Sequence, residues 1–157
     1  MAVTATVQEF LRRANIPYSV HPHIPAYTAA DEADIMQVPE RDWAKVVVCF
    51  VDGEPIQAVV PANHGVDLDR LKAIAGAKTI RLAREDELEW LFPDCELGAM
   101  PPLGPMYRQD VFVDKTLTAE DQIVFNAGTH ADAVAMRYAD FEAVTNPIVG
   151  RFARRLY

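Results

Sequence analysis

The sequence predicts an α+β domain built on a mixed, mainly antiparallel sheet. Three observations carry that expectation. Apolar strand patterns come in pairs joined by short turns, and amphipathic helical stretches stand between some of them. No repeat, low-complexity tract or linker interrupts the 157 residues. The length and a hydrophobic share of 50% suit a single folded unit over residues 1–157, long enough to bury a core.

Each element has a local reason. Thr6-Val7-Gln8-Glu9 has the form of a capping box, and Val7, Phe10, Leu11 and Ala14 follow at helical spacing until Pro17. "YSVHPH" (18–23) suits a short extended segment, and Thr28 to Asp31 again resembles a capping box, which predicts a helix over 28–37. "DWAKVVVCFVDG" (42–53) and "PIQAVVPA" (55–62) form two apolar runs joined at Asp52-Gly53, the pattern of a β-hairpin. Asp67 caps a helix carrying Leu68, Leu71 and Ala75, and Gly76 ends it. "KTIRLA" (78–83) is strand-like; "REDELEWLF" (84–92) is a helix with an acidic first turn and Pro93 as its stop. After an irregular stretch over 93–105, "YRQDVFVD" (107–114), "DQIVFNAG" (121–128) and "AVAMRY" (133–138) read as strands, and "ADFEAV" (139–144) as a helix. Asn146 and Pro147 predict the start of a last helix with Val149, Phe152 and Leu156 inward.

Composition excludes several classes. Cys49 and Cys95 are far apart and form no CxxC pair, which argues against a disulfide scaffold or zinc ribbon and for a reducing, cytoplasmic setting. The longest apolar run, Val46 to Val51, is too short to span a bilayer, and "MAVTATVQEF" lacks the basic and apolar parts of a secretion signal. A net charge of −8 argues against non-specific binding to DNA or other nucleic acid. His21, His23, His64 and His130 lack the spacing of a helical metal site, so no metal and no cofactor is expected. Arg151, Arg154 and Arg155 suit the solvated end of the last helix.

Two features stand out. Lys45 interrupts a buried-type strand, and alternation places it with Trp43, Val47, Cys49 and Val51, opposite Ala44, Val46, Val48 and Phe50. The plain explanation is a strand-end lysine whose stem lies on apolar surface with its head in water. The loop "ELGAMPPLGP" (96–105) has Gly98 and Gly104 for close backbone approach, and Pro101, Pro102 and Pro105 for stiffness. A stiff loop with bare N–H groups can hold a polarised carbonyl, although most such loops are only turns.

The order strand-Lys45, hairpin, helix, Gly98-x-x-x-Pro102-x-Gly104, then "VFVDKTL" (111–117), resembles the YbaK/prolyl-tRNA-synthetase-associated family of editing domains. The resemblance covers nearly the whole chain and includes "FNAGTHADAVAMRYADFEAV" (125–144), with His130 in its turn. It implies a curved or barrel-like sheet flanked by helices. It also implies metal-independent hydrolysis of the ester of a mischarged aminoacyl-tRNA, with room for an aminoacyl-tRNA synthetase as partner. On this resemblance Lys45, Gly98 and Pro102 carry catalysis, and Ala99, Met100, Pro101, Gly104 and His130 contact substrate. Met100-Pro101-Pro102-Leu103 is bulkier than the small or hydroxyl residues usual around the loop proline. A narrow pocket for alanine, cysteine or serine on tRNA(Pro) or a related tRNA is therefore expected. The rival reading is a binding module of the same fold that holds tRNA or nucleotide without hydrolysis.

Overall fold

The computed structural model describes residues 3–26 and 28–156. Helix α1 (Val3–Arg13) leads into strand β1 (Tyr18–Pro22) and helix α2 (Ala29–Ile35). The hairpin β2 (Ala44–Val51) and β3 (Glu54–Pro61) follows, then β4 (His64–Val66), α3 (Leu68–Ala75), β5 (Ile80–Leu82) and α4 (Glu85–Leu91). The second half holds a 3-10 turn (Gly104–Tyr107), β6 (Val111–Asp114), a second 3-10 turn (Lys115–Ala119), β7 (Gln122–Asn126) and β8 (Asp132–Arg137). Helix α5 (Tyr138–Thr145), β9 (Ile148–Gly150) and β10 (Ala153–Arg155) close it.

The main sheet has the order β5-β2-β3-β6-β9, with β3–β6 and β6–β9 parallel and the rest antiparallel. A second sheet runs β1-β8-β7, and β4 pairs with β10. The sheet is mixed and mainly antiparallel, as expected, and none of the three orders closes into a barrel. A parallel bridge between Trp43 and Val124 joins the main sheet to the second one.

Local chemistry accounts for the elements. Thr28 accepts from Asp31 N at 3.1 Å, and Asp67 accepts from Arg70 N at 3.1 Å, so both expected caps form. Gly76 ends α3 in the left-handed region at φ 64°. Thr6 is a correction: α1 starts at Val3, so the Thr6–Glu9 pair lies inside the helix, where Glu9 meets Arg13 at 2.8 Å. The strand expected over 107–114 begins only at Val111, because Pro105 opens a 3-10 turn before it.

The largest correction is at the C-terminus. Asn146 is the left-handed C-cap of α5 at φ 47°, not the N-cap of a new helix. The chain then runs as β9 beside β6 and as β10 beside β4. Phe152 is fully buried as expected, but Val149 and Leu156 are exposed. Asp114 supplies the reason: its buried carboxylate accepts from Phe152 N at 2.9 Å and Ala153 N at 2.8 Å. Those N–H groups are committed to an aspartate and are lost to any helical ladder.

The two faces of β2 serve different cores. Val47, Cys49 and Val51 pack with Leu71 of α3 and Phe152, while Val46 and Val48 pack with Phe92 and Met100. Among the described residues no helix is long and apolar enough to cross a membrane.

Candidate functional site

The stretch 96–99 is pinned to the turn after β7. Glu96 N donates to Gly128 O at 2.8 Å, and Gly128 N donates to Ala99 O at 2.9 Å. His130 N adds a bond to Glu96 Oε1 at 3.1 Å, and His130 Nε2 lies 2.6 Å from Leu97 O. Gly98 sits exposed at the apex with φ +82°, a conformation that an L side chain rarely adopts. A Cβ there would lie 3.6 Å from His130 Cε1, an ordinary contact, so the backbone angle and not space demands glycine. The loop glycine and His130, far apart in sequence, are thus neighbours.

The free donors in this loop can be counted by elimination. Pro101 and Pro102 have no N–H. Ala99 N is used by Glu96 O at 3.0 Å. Among the described residues no backbone carbonyl accepts from Leu97 N, Gly98 N or Met100 N, and of these three residues Leu97 and Gly98 are exposed. An open cleft of about 380 Å³ lies alongside, lined by Pro25, Ala26, Glu96, Leu97 and His130.

The rest of the loop turns inward. Met100 is 5% exposed and packs against Val48 and Phe92. Pro101 and Pro102 are buried, and Pro101 O accepts from the buried Gln57 Nε2 at 3.3 Å. Gly104 is buried where a Cβ would stand 2.3 Å from Gln109 O. Glu96, Leu97 and His130 therefore line the cleft with the exposed Gly98 beside His130, while Ala99, Met100, Pro101, Pro102 and Gly104 are buried and form the foot of the loop.

Lys45 stands apart from that group. Its Cα pairs with Val60, and it shares the face of Trp43 and Val47. Among the described residues no carboxylate lies within salt-bridge distance of it, and burial lowers its pKa from lysine's ordinary value. A chain of contacts nonetheless leads from its face to the cleft. Trp43 meets the His23 ring edge-on at 6.0 Å, and His23 Nε2 lies 3.6 Å from Glu32 Oε2. Glu32 Oε1 is 2.9 Å from His130 Nδ1.

Glu32 is the residue that sequence reading missed. It is 1% exposed although carboxylates seldom are, and it comes from α2, 98 residues before His130. Only the sequence position inside a short amphipathic helix was visible, which marks a surface glutamate as readily as a buried one. Cys49 is a buried apolar residue whose thiol is pushed up to about 12 by burial, so it holds no thiolate at neutral pH. Among the described residues no three histidine, cysteine or acidic side chains gather to hold a metal ion.

The fold and site define a small α+β domain with an open cleft walled by Glu96, Leu97 and His130 beside the exposed Gly98 turn. The profile of the aminoacyl-tRNA editing domain matches residues 23–144, and the chain belongs to that family. The Multifunctional Ser/Thr-tRNA deacylase ProXp-y of Escherichia coli (strain K12) is 30% identical over 116 residues, 71% of this chain and 69% of that protein. The proline–tRNA ligase of Staphylococcus saprophyticus is 34% identical over 104 residues, 64% of this chain but 18% of the ligase. A solved structure described as a candidate trans-editing enzyme for prolyl tRNA synthetase superposes with a TM-score of 0.83 over 98% of both chains. At 18% identity that likeness shows the shared fold.

Proposed function

We propose that this chain hydrolyses the ester between a wrongly attached amino acid and the terminal ribose of a tRNA. Membership of the editing family sets the class of reaction. The observation that carries the site is the meeting of Glu96, Leu97 and His130 at one cleft, with Gly98 packed beside His130. Water attacking an ester carbonyl builds negative charge on its oxygen, and a fixed donor aimed at that oxygen lowers the barrier. The N–H groups of the exposed Leu97 and Gly98 are the uncommitted donors at the loop's tip. The Glu96 carboxylate at the cleft wall suits the α-ammonium that every aminoacyl ester carries. No acid/base dyad is needed if the loop positions the water and the substrate's own ribose hydroxyl.

Lys45 is proposed to hold a phosphate of the tRNA's acceptor end. A partly buried ammonium without a carboxylate partner costs folding energy, which an incoming anion would repay. The amino acid is proposed to be small: alanine, cysteine or serine. The ProXp-y relative, which is named for serine and threonine, supports this. One methylene is worth only about 1–3 kcal/mol of discrimination, the gap that a second hydrolytic sieve closes. The ligase relatives carry the matching stretch inside a longer chain, which supports a working association with a prolyl-tRNA ligase.

The experiment is a panel of mischarged tRNAs incubated with the protein, with ester loss followed against the spontaneous rate. Loss from alanyl-, cysteinyl- or seryl-tRNA but not from phenylalanyl-tRNA is expected. Tight tRNA binding without ester loss would make the protein a binding module instead.

A further inference from the structure

His130 faces an acceptor at each ring nitrogen. Nδ1 lies 2.9 Å from Glu32 Oε1, and Nε2 lies 2.6 Å from the Leu97 carbonyl oxygen. A carbonyl oxygen only accepts, and an ionised carboxylate only accepts, whereas a neutral imidazole has a single N–H to give. A neutral ring beside an ionised Glu32 would set one lone pair against another. The contacts close together if the ring carries both protons.

The surroundings favour that charge. Glu32, with 1% of its side chain exposed, has no lysine or arginine within salt-bridge distance among the described residues, so an uncompensated carboxylate there would be costly. The side chains that face its oxygens are histidines: His130 on one oxygen, and His23 with Nε2 at 3.6 Å from the other. His23 itself bonds through Nδ1 to Ile24 O at 2.9 Å. From the loop, Glu96 accepts from His130 N at 3.1 Å and adds a second negative charge. From the start of β8, Asp132 accepts from Thr129 Oγ1 at 2.7 Å, next to the ring's own backbone. The His130 side chain keeps 20% of its surface, which eases the cost of a cation.

We infer that Glu32 is a positioning residue that holds His130 as an imidazolium, and that this imidazolium clamps the Leu97 carbonyl so that the adjacent exposed turn at Gly98 stays fixed beside the cleft. The clamp ties α2 to the turn after β7 and to the Gly98 loop through one ring. Burial opposes the charge on that ring, but the Leu97 carbonyl and the Glu32 and Glu96 carboxylates outweigh it, and the His130 pKa stands above the ordinary histidine value. A raised pKa means that the clamp is fully present below the ordinary histidine range and is lost as pH rises through the raised value. The structural part of this inference stands on its own; only its effect on turnover rests on the proposed deacylase activity.

The test separates those two parts. ¹⁵N-histidine NMR of the wild-type protein, with no tRNA present, reads the charge on His130 directly. An imidazolium signature at neutral pH that titrates above free histidine is expected, and a neutral ring with only Nε2 protonated would overturn the clamp. That second result would mean that a protonated Glu32 donates to Nδ1. Glu32→Gln should lower the His130 pKa and speed hydrogen exchange at the Gly128 amide, whose bond to Ala99 anchors the loop. If Glu32→Gln does not fold, the wild-type titration decides alone, with Glu32→Asp as the conservative variant. In deacylation, Glu32→Gln should lower kcat on the order of tenfold, as loss of an orienting partner commonly does. KM should be little changed, and the alkaline fall in kcat should move to lower pH. A wild-type pH profile in a folded Glu32→Gln protein would refute the positioning role. Absence of turnover in the wild type would count against the deacylase reading and leave the NMR result standing.

Discussion

Lys45 and His130 are both partly buried cations, and the protein treats them in opposite ways. His130 has acceptors at Glu32, Leu97 and Glu96, and its pKa is raised although burial opposes the charge. Lys45 has no carboxylate within reach among the described residues, and desolvation lowers its pKa. A charge that the fold itself satisfies can serve as a fixed strut. A charge left unsatisfied on an otherwise apolar strand is a cost to the empty protein, and is best explained by a ligand that supplies the missing anion. Under the proposed function, the difference gives His130 a holding role and Lys45 a binding role.

The largest expected effect tests the binding half. Lys45→Ala should keep its fold and lose about 10²–10³ in kcat/KM, the usual cost of removing one well-placed electrostatic group. Lys45→Arg should recover only part, because a planar fork does not replace a compact ammonium on a fixed strand. Lys45→Met should unfold at the same temperature as wild type or higher. A lysine pKa lowered by folding opposes stability while the group is charged, and the penalty fades as pH rises from the lowered value toward the ordinary one. Thermal melts and deacylation rates on the three variants check this. Wild-type turnover in folded Lys45→Ala would reduce the residue to a strand-end lysine.

The two loop glycines sharpen the same contrast between working apex and buried foot. Gly98→Ala forces a side chain into φ +82°, which costs about 1–2 kcal/mol and pushes the loop out of place. Turnover should fall about tenfold, following a shift of about 1.4 kcal/mol, and the melting temperature should drop by about 2–8 °C. Gly104→Ala should lower stability without the loss of turnover. Its Cβ would meet Gln109 O at 2.3 Å and Val111 Cγ2 at 2.5 Å, and such overpacking costs about 1–3 kcal/mol of stability. Its kcat in the folded fraction should stay near wild type. Equal behaviour of the two variants in both assays would erase the division of the loop.

Legibility in the sequence follows the range of the interactions. The hairpin of β2 and β3, and the capped helix α3, rest on residues within one turn of each other, and they stand where the pattern put them. Lys45 and Gly98 were visible because each breaks a local rule. The C-terminal segment was misread because Val149, Phe152 and Leu156 mimic a helical period. What decides it is Asp114, whose carboxylate reaches 38 residues along the chain to Phe152 N. Glu32 was invisible for the same reason: nothing near α2 announces a histidine in the turn after β7. The inward turn of Met100 also escaped, because a loop sequence does not say which side chain is underneath.

The smallest expected effect comes from a third kind of cation, exposed and fully paired. Arg81 grips Glu87 with two bonds, at 2.7 and 2.8 Å, on the open surface between β5 and α4. Arg81, and then the Arg84 backbone, hold the Glu87 carboxyl down at about 2. A depressed carboxylate pKa contributes stability above its ordinary value of 4.5, and loses it as pH falls from there through about 2. Solvent screens a pair of this kind, so the contribution is small. Glu87→Gln should therefore leave deacylation and the His130 resonances unchanged. Its melting temperature should dip slightly at neutral pH, and the difference from wild type should vanish in strong acid. A marked loss of turnover in Glu87→Gln would mean that pairing alone does not retire a cation from function, and would undo the rule by which Lys45 was singled out.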